Sequence, residues 1–473
     1  MRHRWLALGV LSLGVLLIGV DGTVLAVATP MISKDLGATP TQILWIGDIY
    51  SFVLAGLLIT MGSLGDRIGH KKLLLGSATA FALASVATSY APTAEGLIAA
   101  RALLGVAGAS LAPSTLALIR GLFASARERS VAVGIWASVF AAGTALGPVV
   151  GGALLEHFWW GSVFLINVPV IVVLVVGGAV LLPELRNPIP GPWDLLGVGL
   201  SLAGILGLVY AAKQGVAHGM HADIVVAGLA GAAALTLFVR RQLKTPHPLI
   251  DVRLFSNRRF SGVVVTNTLT VLGPSALLYF LSQYLQLVEG YSPLQAGLAE
   301  LPAAVAAMAF GVLAGVAARY WSQRAVLATP LVVIGVAMGS LTTLSPSTTY
   351  PQIGIALFGI GAGLGVAFAV ANDVVIASVP PQNAGAAAGI SETAYELGTA
   401  LGIALLGSVI WGVHRGLGAT HSAFASGLAV AAGIGSALLL ASALTVWILL
   451  KPATPPATPA YRCVNCEEGP VPG

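Results

Sequence analysis

Three ionisable residues stand inside apolar stretches of this 473-residue chain, where a charge is costly. Asp21 lies in LLIGVDGTVLAVA, Asp48 in LWIGDIYSFVLAG and Arg101 in RALLGVAGA. Each lies about six residues from one end of its stretch, which is roughly 9 Å at the rise of an α-helix. We therefore expect the three side chains to lie at one depth and to pair with each other.

One guanidinium cannot neutralise two carboxylates, so one acid is expected to stay able to take up and release a proton. This predicts a proton-coupling site made of Asp21, Asp48 and Arg101, with Asp21 as the leading carrier. A structural ion pair that fixes helix packing is the alternative. The choice between Asp21 and Asp48 as the proton carrier stays open.

A second group of acids occurs late in the chain. Glu392 and Glu396 are four residues apart in SETAYELG and share one face of a helix, with Tyr395 beside them. A carboxylate next to an aromatic ring suits a lipophilic cation, through charge and cation–π contact. Helix packing is the alternative interpretation. One acid and two rings complete the predicted substrate-binding set: Glu300, Tyr50 and Trp136.

Composition identifies the environment of these residues. Hydrophobic residues make up 57% of the chain and charged residues 9%, with a mean hydropathy of +0.91. Soluble proteins carry about 25% charged residues, so the composition predicts an integral membrane protein. Fourteen segments have the length and apolarity of a membrane-spanning helix, at 5–27, 42–64, 73–91, 95–119, 130–155, 160–183, 193–212, 222–239, 260–283, 293–317, 326–345, 352–378, 386–411 and 424–450.

The basic residues predict the orientation. Of the 23 Lys and Arg, three fall on outward loops (Lys34, Lys213 and Arg415), Arg101 lies within a span, and the rest lie on the side of the N-terminus. Positive charge concentrates on the cytoplasmic side, so both termini are expected there, in a multi-pass protein of the plasma or inner membrane. The net charge of +5 is thus explained by membrane topology and does not indicate binding to nucleic acid.

Two glycine-rich segments predict moving contacts between helices. GSLGDRIGHKK (62–72) would form a tight turn in which Asp66 and Arg67 can pair. GTALGPVVGG (143–152) places small residues four apart, which allows close helix contact, and its proline bends the helix. A packing kink is the alternative for the second segment. The residues assigned to a conformational gate are Gly62, Asp66, Arg67, Gly69, Lys71, Gly143, Gly147, Pro148, Gly151 and Gly152.

Together these motifs resemble the major facilitator superfamily, and more narrowly its fourteen-helix drug:proton antiporters of the QacA and LfrA type. GSLGDRIGHKK resembles the superfamily's loop signature, with His70 where Arg is usual. GTALGPVVGG resembles the fifth-helix motif of antiporters, and GVDGTVLAVATP, RALLGVAGA and FLINVP also fit. The resemblance runs from about residue 5 to 450 and is most specific in the combination of motifs.

The resemblance implies an all-α membrane protein with two six-helix bundles, 1–183 and 259–450. Two linker helices with a connector (184–258) and a cytoplasmic tail (451–473) complete it. Substrate would bind between the bundles. It further implies a multidrug efflux pump that exchanges protons for lipophilic, mainly cationic drugs, antiseptics and dyes. Such a pump needs no cofactor, because the proton gradient drives it, and its other partners are membrane lipids.

Several departures and alternatives remain. The repeat counterpart of the 62–72 loop has Ala318 where Asp66 stands, although it keeps Arg319. Asp373 lies near the inner end of its span, where it could be solvated. Cys463 and Cys466 offer two ligands where structural zinc takes four. A narrow antibiotic exporter is the first alternative function and a proton-symport importer the second. No nucleotide-binding loop and no nucleophile–base constellation favours an enzyme.

Overall fold

The computed structural model describes residues 2–185, 194–218, 221–245, 248, 252–256, 258–317, 323–345, 348–418 and 420–449, and over these the regular structure is helical. Long apolar runs become helices because only a helix satisfies its own backbone hydrogen bonds within hydrocarbon. The helices are α1 (Arg2–Leu36), α2 (Pro40–Ile68), α3 (His70–Ser89), α4 (Ala94–Gly108), α5 (Leu111–Leu122), α6 (Ala126–Leu155), α7 (Ser162–Leu165), α8 (Asn167–Leu181), α9 (Leu195–His218), α10 (Ala222–Lys244), α11 (Arg258–Leu287), α12 (Pro293–Ala299), α13 (Leu301–Ala317), α14 (Gln323–Ser340), α15 (Tyr350–Ala377), α16 (Ala384–Gly416) and α17 (His421–Leu449).

Thirteen helical segments among the described residues are long and apolar enough to cross a membrane. Three of them consist of two consecutive helices each: α4 with α5, α7 with α8, and α12 with α13. The predicted span 193–212 corresponds to α9, whose apolar part Leu195–Ala211 is shorter. The prediction of an all-α, multi-pass membrane fold is confirmed, and the helices occur where the apolar segments do.

The helices pack into two groups. In the first half, α1 packs on α6 and α8, and α2 packs on α4; in the second, α11 packs on α16, and α13 on α15. The remaining pair, α9 and α10, pack on each other, and α9 also contacts α2 and α16. The two halves meet along α2 with α16 and α6 with α13. The predicted boundaries at 183, 258 and 450 stay a prediction. The tail with Cys463 and Cys466, and residues 318–322 with Ala318 and Arg319, lie outside the described residues.

Basic side chains cluster at one end of the helices, which we call the basic end: Arg4, Arg67, Lys72, Arg129 and Arg241. The opposite end is the far end. The turn between α2 and α3 at the basic end depends on Gly69, whose φ of 108° is one that L residues rarely adopt. A side chain at this position would also displace the carboxylate of Glu184, which follows α8.

Candidate functional site

Asp21 and Arg101 form a buried ion pair in the first half of the molecule. Arg101 Nη1 lies 3.6 Å from Asp21 Oδ2, and both side chains are almost fully shielded, at 2% and 0% exposure. Arg101 also donates from Nε to the carbonyl oxygen of Ile46 in α2, at 2.7 Å. The pair thus links α1, α2 and α4. Asp21 and Arg101 were predicted to lie at a similar depth and to pair, and the structure has them in contact.

Asn167 is the second polar partner of Asp21. Its Nδ2 lies 3.3 Å from Asp21 Oδ1 and 3.3 Å from the Ser85 hydroxyl oxygen of α3. Asn167 begins α8, just after the break that separates it from α7. The carboxylate of Asp21 therefore meets a cation on one oxygen and an amide donor on the other.

Tyr50 lies on α2, one of the helices along which the two halves meet. The Arg101 guanidinium sits over the Tyr50 ring, 5.2 Å from its centroid. The Tyr50 hydroxyl is buried and has no hydrogen-bond partner among the described residues. Tyr50 thus packs against Arg101 of the buried pair, on a helix that contacts α16. Asp48 lies in α2, two residues before Tyr50, and its side chain is outside the described part of the structure.

A cavity of about 250 Å³ lies between the two halves. It is lined by α6 on one side and by α11 to α13, α15 and α16 on the other. Three rings line part of it: Phe140, Phe368 and Tyr395, with centroids 5.0 to 6.2 Å apart. Glu300, at the junction of α12 and α13, is the charged residue among the described lining residues. The cavity offers aromatic faces and one carboxylate.

Two predicted substrate-binding residues, Glu300 and Tyr395, therefore line the cavity. Trp136 was expected to offer its ring to substrate, but it is fully buried and donates from Nε1 to the Thr115 hydroxyl oxygen at 3.0 Å. Its ring stacks behind Phe368, with 5.7 Å between centroids and 16° between planes. Packing against both halves thus gives Trp136 a supporting position rather than a lining one.

Glu392 and Glu396 lie on α16 close to the cavity wall. Glu392 is buried beside Asn372 of α15, and the charge of Glu396 acts on it from one turn away. Neither acid is among the described lining residues of the cavity, and neither is Tyr50. Glu300 therefore lines the cavity, whereas Glu392 and Glu396, the two acids predicted from the SETAYELG segment, do not.

Asp66 ties the two halves together at the basic end. It accepts hydrogen bonds from the backbone N–H groups of Gly385 and Ala386, at 3.1 and 3.0 Å, at the start of α16. A helix N-terminus favours a negative charge, which strengthens this contact. His70 Nε2 lies 2.8 Å from Asp66 Oδ1. Gly62 makes the approach possible, because a side chain there would collide with the Gly385 carbonyl oxygen.

A second contact between the halves lies at the same end. Arg129 Nε donates to Asp373 Oδ1 at 2.7 Å, and the Ser130 hydroxyl also hydrogen-bonds Asp373. Asp373, expected as a possible solvated acid, is instead mostly buried and paired across the two halves. The physical reason is that α6 begins directly beside the end of α15. Together with the Asp66 contacts, this pair joins the two halves at the basic end.

The GTALGPVVGG segment brings α6 into backbone contact with α1. Side chains at Gly143 or Gly147 would collide with α1, at the Leu16 carbonyl oxygen and at Thr23 respectively, and Gly151 faces Val24. Pro148 and Gly152 instead face α12, near Gly297 and Leu294. Pro148 also lines the cavity, together with Thr144 and Ala145. One helix thus carries both the close packing and part of the cavity wall.

Four residues that form the buried pair's surroundings, the cavity or the contacts between the halves were not among the predicted site residues. Asn167 could have been found, because an amide in the apolar FLINVP segment is a signal of the same kind as Asp21. Phe140 and Phe368 carry no such signal, since an aromatic residue in a span can equally face lipid, core or cavity. Arg129 was counted only as a topological charge.

Comparisons with known proteins agree with this architecture. Residues 11–403 match the family described as Major Facilitator Superfamily. The multidrug efflux pump LfrA of Mycolicibacterium smegmatis is 46% identical over 413 residues, which cover 87% of this chain and 82% of that protein. The methyl viologen resistance protein SmvA of Salmonella typhimurium is 40% identical over 416 residues, covering 87% and 83%. The structure of the proton:xylose symporter XylE superposes with a TM-score of 0.65 at 15% identity, covering 95% and 96% of the two chains, which supports the fold alone. The chain belongs to the Major Facilitator Superfamily.

Proposed function

We propose that this transporter exports lipophilic, mainly cationic drugs and antiseptics in exchange for protons. The observation that carries the proposal is the combination of the buried Asp21–Arg101 pair with an aromatic cavity between the two halves. The buried pair can hold a proton, and the cavity can hold an apolar molecule. The drug efflux and resistance functions named for LfrA and SmvA support the same assignment.

Asp21 is the group to which we assign the coupling proton. As an anion it is held by Arg101 and Asn167, and as a neutral acid it no longer attracts the guanidinium. Protonation would therefore loosen the link between α1 and α4 and free Arg101 to act on its other partners. Because Tyr50 packs against Arg101 and lies on α2, which contacts α16, it offers a route by which the change reaches the second half.

We place the basic end in the cytoplasm of a plasma or inner membrane, because positive charge favours that side. Asp66 and the Arg129–Asp373 pair hold the two halves together on the side that we place in the cytoplasm. In the export cycle that we propose, the drug is released at the far end while these contacts hold the basic end together. Opening the basic end again requires both contacts to break.

The test is ethidium efflux from a pump-deficient bacterium that expresses this chain, measured with and without a protonophore. We expect energised efflux that stops when the proton gradient collapses. Efflux that continues after collapse would refute proton coupling while leaving export intact. Absence of efflux in well-expressed protein would refute the drug assignment and favour a narrower substrate.

A further inference from the structure

Glu300 is a carboxylate in an apolar place. The described lining of the cavity around it consists of alanine, leucine and glycine residues, Pro148, Thr144 and the three rings. Ser282 of α11 hydrogen-bonds the carboxylate, but Glu300 Oε1 is buried and has no partner. A buried carboxylate oxygen without a hydrogen-bond partner is unfavourable in mostly apolar surroundings, and a bound cation would stabilise it.

The helix break at Glu300 does not explain the side chain. Glu300 ends α12 and donates its backbone N–H to the carbonyl oxygens of Gly297 and Leu298. Those contacts use the backbone alone and would form with many residues at this position. Gly297 packs against Pro148, which sets the distance between α12 and α6 without the carboxylate. The acid is therefore not needed to build the wall that carries it.

The aromatic residues of the cavity lining supply what a bound cation would need besides a counter-charge. Phe140 comes from one half of the molecule, while Phe368 and Tyr395 come from the other. Their rings form one continuous wall, and Trp136 holds Phe368 from behind. Ring faces attract cations and also pack against flat apolar bodies. A molecule whose positive charge lies near Glu300 and whose aromatic body packs on this wall would use both the carboxylate and the rings.

We propose that Glu300 is the residue that reads the charge of the substrate, and that the cavity takes compact amphipathic cations with an aromatic body. The proposal rests on the proposed function and assigns substrate charge to Glu300 rather than to Glu392 or Glu396. The volume of about 250 Å³ lies below the 300–1,000 Å³ usual for drug-sized ligands, which favours compact molecules. Neutral apolar molecules would use the ring wall alone.

Binding to the purified full-length protein tests this directly, with ethidium as the aromatic cation and Nile red as a neutral lipophilic dye. Glu300→Gln should raise the Kd for ethidium about tenfold or more and leave the Kd for Nile red unchanged. Phe368→Leu should raise the Kd for both dyes. The matched control is Glu289→Gln, an acid at the same end that accepts a hydrogen bond from Tyr284 and is not among the described lining residues.

The outcomes separate the two proposals. Unchanged ethidium binding in Glu300→Gln, or an equal loss of both dyes, would overturn the role of Glu300. A loss that appears instead in Glu392→Gln would move the charge-reading role to α16. If the wild-type protein binds ethidium through Glu300 but does not move it across vesicles, the export function fails and the binding assignment stands.

Discussion

At the scale of single residues, Asp21 has a more complete environment than an isolated ion pair would have. Arg101 and Asn167 approach different oxygens of its carboxylate, and Arg101 is itself held by the Ile46 carbonyl oxygen. The 3.6 Å separation from Arg101 is longer than a well-formed charge-assisted hydrogen bond. The pair is therefore held together by position and can separate without breaking a short bond.

Asp21→Asn should keep the protein inserted, because an amide costs less in lipid than a charge. It should abolish uphill efflux, since the site can no longer exchange a proton. The measurement is drug-induced proton release from protein in detergent, beside Asp35→Asn at the far end as a control that leaves the pair intact. Full proton release from Asp21→Asn would make the residue a structural partner of Arg101 and move the coupling role to Asp48.

At the scale of elements, α6 depends on small residues to reach α1. An added side chain at Gly147 would collide with Thr23, whereas one at Gly14 would meet Leu174 and Thr115 at an ordinary 3.5 Å. Thr23 also donates to the Thr144 carbonyl oxygen at 3.0 Å, a hydrogen bond that needs the same close approach. The α1–α6 contact is thus set by both backbone proximity and a specific hydrogen bond.

Gly147→Leu should therefore separate α6 from α1 and either block the transport cycle or open a proton leak. Gly14→Leu should have a smaller effect, because its surroundings begin at normal contact distance. Dye efflux and passive proton entry, measured in the same proteoliposomes, distinguish the two failures. Equal effects of the two substitutions would mean that the 143–152 segment has no special status.

Asp194, just before α9, is held by hydrogen bonds that include one from Arg241 of α10. Burial acts to raise the pKa of Asp194, but hydrogen bonds from Gly197 N, Arg241 and Gln242 outweigh it and hold the pKa below its usual value. Stability from this group is therefore present above about pH 4 and is lost as pH falls through the lowered pKa. Asp194→Asn should lower Tm at neutral pH.

The difference in Tm between wild type and Asp194→Asn should shrink as the pH is lowered below about 4. Scanning fluorimetry in detergent over a pH series provides the measurement. Asp223→Asn, an exposed acid at the other end of α10, is the control and should match wild type throughout. A difference that stays constant with pH would show that the charge of Asp194 does not contribute.

At the scale of the whole molecule, the two halves are held at the basic end by a small number of polar contacts. Asp373→Asn should weaken the pair with Arg129 and shift the population toward a conformation with that end open. Glu128→Gln removes an ion pair with Arg4 at the same end, between α1 and α6 of the first half, and should shift nothing. Distances between spin labels on α2 and α16 report the shift, and equal distances in both variants would contradict it.

The sequence predicted the helices and the Asp21–Arg101 depth well, because apolar length and position along a span are local properties. It did not predict the contacts between the halves. Asp66 bonds to residues 385 and 386, 319 and 320 positions away, and no periodicity within a span specifies such a partner. The same limit applies to Asp373 and to Phe368, whose neighbours come from α6.

The residues that shape the cavity and those that bring helices together are largely different, and this separation bears on how resistance evolves. Small lining residues such as Ala141 and Ala304 can be enlarged to reshape the cavity. Gly62 and Gly143, in contrast, have backbone directly against them and cannot grow without moving a helix. A population under selection by a new antibiotic should therefore gain adaptive changes at the alanines, one at a time, while the glycines stay invariant.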